Sequence, residues 1–169
     1  MTQEPTGYAR PELLADTDWL ETHLDDPNVR IIDCATFELY QKAHIRNAVG
    51  LQVNPFIKNA DDTLHVMTPD QFATLMGDLG VNSDTTVIAY DTAGGVPASR
   101  MWWVLNYYGH TNAKVLNGGW EKWFHDGLPI SREIPKFSAT TFTPVVEEKL
   151  LCSLEYGKSH LDDNKVLYL

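Results

Sequence analysis

VIAYDTAGGVPASRMWW, residues 87–103, is where the sequence changes from one kind of structure to another. An unbroken apolar run of β-forming residues ends at Tyr90, a Gly-rich loop follows, and an aromatic amphipathic run begins near Pro97. A buried-type strand passing through glycines into a period of 3.6 residues is a β–α corner. In an α/β fold that corner is where a nucleophile or a phosphate normally sits. Here the first loop residue is Asp91, with no Cys, Ser or Lys in that place.

The flanking sequence repeats this grammar. Asp16 to Asp26 reads as a short helix with an acidic, capping start and Trp19, Leu20 and Leu24 turned inward. VRIID (29–33) is an apolar run without alternation, as expected of a strand covered on both faces, and AVGLQV (48–53) is a second. ELYQKAH between them is a short helical patch. Thr68, Pro69, Gln71 and Gly80 predict a capped helix over 68–80. Strands follow at 85–90 and in AKVLN, with helices from Pro97 to Gly109 and in GGWEKWFHDG. Met101, Val104, Leu105 and Tyr108 share the inner stripe of the first of these helices. Strands alternating with helices predict an α/β fold with a mainly parallel sheet, the loops after its strands gathered on one edge. Asp33, Asp91 and Asn117 end strands on that edge.

The 169 residues suffice for one core-forming domain plus some extra. A net charge of −10 without a Lys/Arg cluster argues against nucleic-acid and anionic-membrane partners. No stretch is apolar enough for a leader or a membrane span. Cys34 and Cys152 form neither a disulfide framework nor a metal spacing, which predicts a reducing, cytoplasmic setting and no metal or cofactor. After Leu128 the sequence turns rich in Pro, Ser and Thr, so 131–150 reads as a linker or an arm lying on the domain. HLDDNKV (160–166) then repeats HLDDPNV (23–29) without gaps at an offset of 137 residues. Tyr156 falls on Trp19, and Tyr168–Leu169 fall on Ile31–Ile32. The expectation is a tandem protein: a domain over 1–130, a linker, and at 151–169 the truncated start of a second domain, with KVLYL as an unpaired strand.

A loop whose amides converge above a helix N-terminus makes an anion cradle. A Cys at its first position would be held as a thiolate, and a persulfide formed on it would be stabilised in the same way. Asp91 can accept the same amide bonds, but a carboxylate carries no transferable sulfur.

VIAYDTAGGVPASRMWWVLNYYGH (87–110), VLNGGWEKW (115–123) and DCATFELYQKAHIRNAVGL (33–51) together resemble the first domain of tandem rhodaneses, the thiosulfate and 3-mercaptopyruvate sulfurtransferases. The resemblance covers about Leu13 to Ile130, and several ordered motifs make it specific. It implies a rhodanese-like α/β fold, with about five mostly parallel strands flanked by helices. It also implies that a Cys in the second domain carries sulfur from a small donor anion to an acceptor such as cyanide. No catalytic residue then lies in this chain. Asp91, Thr92, Ala93, Gly94, Gly95 and Val96 form a degenerate active-site loop, and Phe37, Val96 and Pro97 are candidates for a wall facing the second domain. The donor, thiosulfate or 3-mercaptopyruvate, stays open. The alternative is a stand-alone inactive binding module. A dual-specificity phosphatase of the same fold would need a Cys where Asp91 stands.

The other chemistry-bearing residues have structural readings. Arg100 is expected to support the loop by pairing with an acid such as Asp33 rather than by binding an anion. Cys34 reads as a buried inert thiol and Cys152 as exposed. His44 lacks a partner nucleophile, Trp102, Trp103, Trp120 and Trp123 fill core, and Asp61–Asp62 are a solvated pair.

Overall fold

Parallel strands and the helices between them account for most of the fold of this computed structural model, which describes residues 7–62 and 64–166. The strands are β1 (Leu14–Ala15), β2 (Val29–Asp33), β3 (His44–Ile45), β4 (Val49–Gly50), β5 (Thr86–Tyr90), β6 (Ala113–Leu116) and β7 (Ile130–Ser131). The helices are α1 (Thr17–Thr22), α2 (Phe37–Tyr40), α3 (Pro69–Asp78), α4 (Val96–Tyr107), α5 (Gly119–His125) and α6 (Leu154–Ser159). Five strands form one all-parallel sheet in the order β1-β6-β5-β2-β4, and β3 pairs with β7 in a small antiparallel ribbon.

The central strands are buried on both faces, which explains their unbroken apolar text. Successive residues alternate between two cores. Val29, Ile31, Ile88 and Tyr90 pack with Leu20 and Leu24 of the α1 segment and with Trp123 of α5. Ile32, Val87 and Ala89 pack on the other face with Phe72 and Met76 of α3 and with Met101, Val104 and Leu105 of α4. Thr68 and Gln71 form the reciprocal capping box that starts α3, with bonds of 3.3 and 3.2 Å. Such a cap stabilises a helix by about 1 kcal/mol.

Residues 132–147 lie along the domain. Phe142 is buried and meets the Phe72 ring edge-on at 5.5 Å. Thr140 donates its N–H to Gly77 and its hydroxyl to Val81. The Phe137 ring lies 3.3 Å from the Arg30 guanidinium, whose burial lowers its pKa to about 10.

Two local expectations differ, and a third falls outside the described residues. Trp19 points outward, 37% exposed and stacked on His23, because α1 turns the neighbouring Leu20 fully inward. Strand 48–53 shrinks to Val49–Gly50, where the Tyr40 ring approaches so closely that a Cβ on Gly50 would lie 2.4 Å from it. The repeat's strand KVLYL falls largely on 167–169, outside the described residues.

Candidate functional site

Asp91 follows β5 directly and is 3% exposed. Its Oδ1 accepts from the N–H groups of Ala93 (2.7 Å) and Gly95 (2.9 Å), and its Oδ2 from Ala98 N–H in the first turn of α4 (2.8 Å). The loop closes so tightly because Gly94 and Gly95 take positive φ, 72° and 91°, which L side chains rarely adopt. α5 braces it from the next strand end, Trp120 N–H donating to the Asp91 carbonyl at 3.1 Å. Loop and helix start therefore form the anion cradle expected from the sequence, and its anion is the protein's own carboxylate.

Below the loop lies a second buried carboxylate. Asp33 Oδ2 accepts from the Tyr90 hydroxyl at 2.6 Å and Oδ1 from Ala35 N–H at 2.8 Å. The Tyr90 oxygen in turn accepts from Ile45 N–H at 3.1 Å. Burial pushes the Asp33 carboxyl up, the Tyr90 and Ala35 bonds pull it down, and nearby Asp91 adds a smaller upward push. The Tyr90 hydroxyl is also raised, by burial and then by the Asp33 charge. Tyr90 is the site residue that the sequence reading missed. The available signal was a Tyr ending a buried strand, whose hydroxyl needs a partner. The parallel register supplies one by setting Asp33 beside Tyr90.

Arg100 does not pair with Asp33. Its Nε donates to the Phe56 carbonyl at 3.1 Å, and its guanidinium lies over the Trp103 ring at 4.6 Å. Tyr90 takes the Asp33 oxygen from within the sheet, whereas α4 carries Arg100 to the outer surface. Of the three wall residues, Val96 is 60% exposed and Phe37 half-buried at the start of α2. Pro97 turns into its own domain and is buried, so it offers no wall to a partner. A cleft of about 320 Å³ opens beside the loop, lined in part by Thr92, Gly94, Ser99, Asn117 and Tyr8.

Cys34 is fully buried, its thiol pushed well up by burial and by the Asp33 and Asp91 charges, the opposite of nucleophile activation. Cys152 is exposed. His44 is buried with its ring nitrogens against the carbonyls of Tyr40 (2.8 Å) and Glu133 (3.1 Å). Trp123 is fully buried, its indole N–H on Pro129 O, while Trp102, Trp103 and Trp120 are partly buried. Asp62 closes a loop by accepting from the Leu64 and His65 amides, the His65 bonds chief among the causes that lower its pKa to about 2.

The family model of the rhodanese-like domain matches residues 16–126. The chain is 34% identical over 137 residues to the sulfur carrier protein TtuD of Thermus thermophilus, across 78% of this chain and 46% of that protein. To the 3-mercaptopyruvate sulfurtransferase of Escherichia coli K12 it is 33% identical over 122 residues, across 66% and 43% of the two. The crystal structure of the 3-mercaptopyruvate sulfotransferase SseA from Escherichia coli superposes with a TM-score of 0.80 at 26% identity. That match covers 90% of this chain and 62% of SseA. The chain spans about half the length of the curated relatives it matches.

Proposed function

The chain belongs to the rhodanese-like domain family, and we propose that it is the first, non-catalytic rhodanese domain of a tandem sulfurtransferase. The observation that carries this reading is the cradle itself. Its three inward amides are satisfied by Asp91, so the loop has neither a thiolate nor room among its donors for a sulfur anion.

The chemistry then belongs to a thiolate in the second half. It attacks the outer sulfur of a donor such as thiosulfate, the S–S bond breaks, sulfite leaves, and a persulfide remains. A thiophilic acceptor such as cyanide takes that sulfur as thiocyanate and returns the thiolate. With 3-mercaptopyruvate the bond broken is C–S. The present domain supports that half and faces it with Val96 and Phe37. Residues 1–130 form the domain, 131–150 the connection, and 151–169 the start of the second. The sulfurtransferase relatives, about half of whose length the chain matches, support this, as does the repeat at offset 137. We assign it to the cytoplasm on its two unpaired cysteines; no helix among the described residues is long and apolar enough to cross a membrane.

The test is thiocyanate formation from thiosulfate and cyanide. The 169-residue chain is expected to show no turnover, and the protein read on past Leu169 from its gene is expected to turn over. Turnover by the shorter chain that disappears in Cys34→Ser would overturn the assignment.

A further inference from the structure

The cleft of about 320 Å³ beside the Asp91 loop has walls of two kinds. Leu14 of β1 and Val115 and Leu116 of β6 give it an apolar floor. Thr92, Ser99 and Glu121, all exposed, supply oxygen atoms at its rim. On the loop side a Cβ built on Gly94 or Gly95 would meet nothing within 4 Å, so a ligand can approach the backbone there.

The charge around this cleft has one sign. Asp91 and Glu121 line it, and none of the described residues lining it is Lys, Arg or His. Asp33 lies directly behind, 2.6 Å from the Tyr90 hydroxyl. Asp33 and Asp91 accept hydrogen bonds from neutral donors only, the Tyr90 hydroxyl and four backbone N–H groups. Such dipoles hold a carboxylate in place without cancelling its charge. Lys122, packed against Gly118 at the rim, is paired with Asp126. Apolar walls of low dielectric focus a field of this kind into the cleft.

An anion gains nothing here. The inward amides of the loop are taken up by Asp91, and Glu121 repels it at the rim. A metal ion fits no better, because both Asp91 oxygens are engaged and Glu121 stands alone as an open carboxylate. An organic cation gains three ways: from the field, from the rim oxygens of Glu121, Ser99 and Thr92, and from Tyr8. The Tyr8 ring is 52% exposed in the cleft wall, and its hydroxyl is 3.3 Å from Asn117 Oδ1. A ring so placed attracts a cation to its face. The volume lies at the lower end for ligand pockets, which suits a short stem on the apolar floor.

We propose that this cleft binds a primary ammonium on a short apolar stem, with Glu121 and the Tyr8 ring at its head and Leu14, Val115 and Leu116 under the stem. The carboxylate that fills the cradle thereby sets the charge of the ligand that the neighbouring cleft selects. The floor belongs to β1 and β6, on the side of β5 opposite β2 and the Phe37 segment that follows it. The site therefore stays clear of the Phe37 wall and does not depend on the tandem reading.

The test is an amide chemical-shift titration of the 169-residue chain with n-butylammonium chloride, against sodium butyrate and butan-1-ol at matched ionic strength. The ammonium alone is expected to give saturable shifts at Gly94, Gly95, Ser99 and Gly119, with a Kd tighter than about 20 mM. Binding should weaken as salt is added. Glu121→Gln changes an exposed side chain and should weaken binding about threefold. Tyr8→Ala should weaken it about 2–5-fold. A Kd weaker than about 20 mM, shifts of equal size from butyrate or butan-1-ol, or unchanged affinity in either variant would each overturn the proposal.

Discussion

Replacing Asp91 by Ala removes the acceptor of three amide hydrogen bonds at once. The three donors are not equally placed. Ala93 is exposed and Gly95 half-buried, so water can replace the carboxylate at both, at about 0.5–1.5 kcal/mol each. Ala98 is fully buried in the first turn of α4, and its unpaired N–H costs about 1–3 kcal/mol. The favourable placement of a carboxylate at the N-terminus of a 12-residue helix, about 0.3–1 kcal/mol, is lost as well. The total is about 2–7 kcal/mol, a large part of a typical domain stability of about 5–15 kcal/mol, so the variant should melt at least about 5 °C lower. Asp91→Asn keeps a carbonyl for two donors and sets an amide against the third, and should fall between. Urea and thermal unfolding followed by circular dichroism measure both. An Asp91→Ala variant within about 0.5 kcal/mol of the parent, the range of an ordinary surface change, would refute the self-occupied cradle.

Tyr90→Phe takes a donor from the buried Asp33 carboxylate, whose pKa already lies above its unfolded value. A raised acid costs stability as pH climbs from about 3.9 through the folded pKa, so the variant's loss should be larger at pH 7 than at pH 4; a loss independent of pH would count against the pairing. Burial lowers the pKa of His110, so the unfolded chain binds its proton first and stability should fall as pH drops below about 6.5. His110→Gln should flatten that slope in urea midpoints, and an unchanged slope would assign it elsewhere. Gly77→Ala should gain about 1 kcal/mol of helix propensity, yet its Cβ would sit 2.7 Å from the Thr140 carbonyl. We expect net destabilisation and faster amide exchange at Thr140, and an unchanged exchange rate would show that the arm yields freely. Asp91→Cys in the 169-residue chain should create a maleimide-reactive thiol with little thiocyanate turnover, and robust turnover would show that this domain needs no second half.

The site was legible wherever one residue type met one local backbone demand. Asp91 ends an apolar run and precedes two glycines, so its position and its amide partners follow from chain-local geometry. Arg100, Pro97 and Trp19 were misjudged for a common reason. Each depends on the phase of a helix against a sheet, which a single turn of sequence does not define. β1, β3 and β7 were invisible because two residues carry no period.

By itself, the sequence determined the α/β alternation, the parallel sheet, the loop edge and the carboxylate that follows the central strand. These are set by apolar runs, glycine positions and residue identity, all local in the chain. Tertiary structure alone decided that Tyr90 rather than Arg100 satisfies Asp33, and that the opening turn and helix recur over 148–159, where most residues differ from those at 11–22. Both depend on which backbone atoms the register brings within about 3 Å of one another, and hydrogen-bond reach is a property of that register, not of the order of residues along the chain.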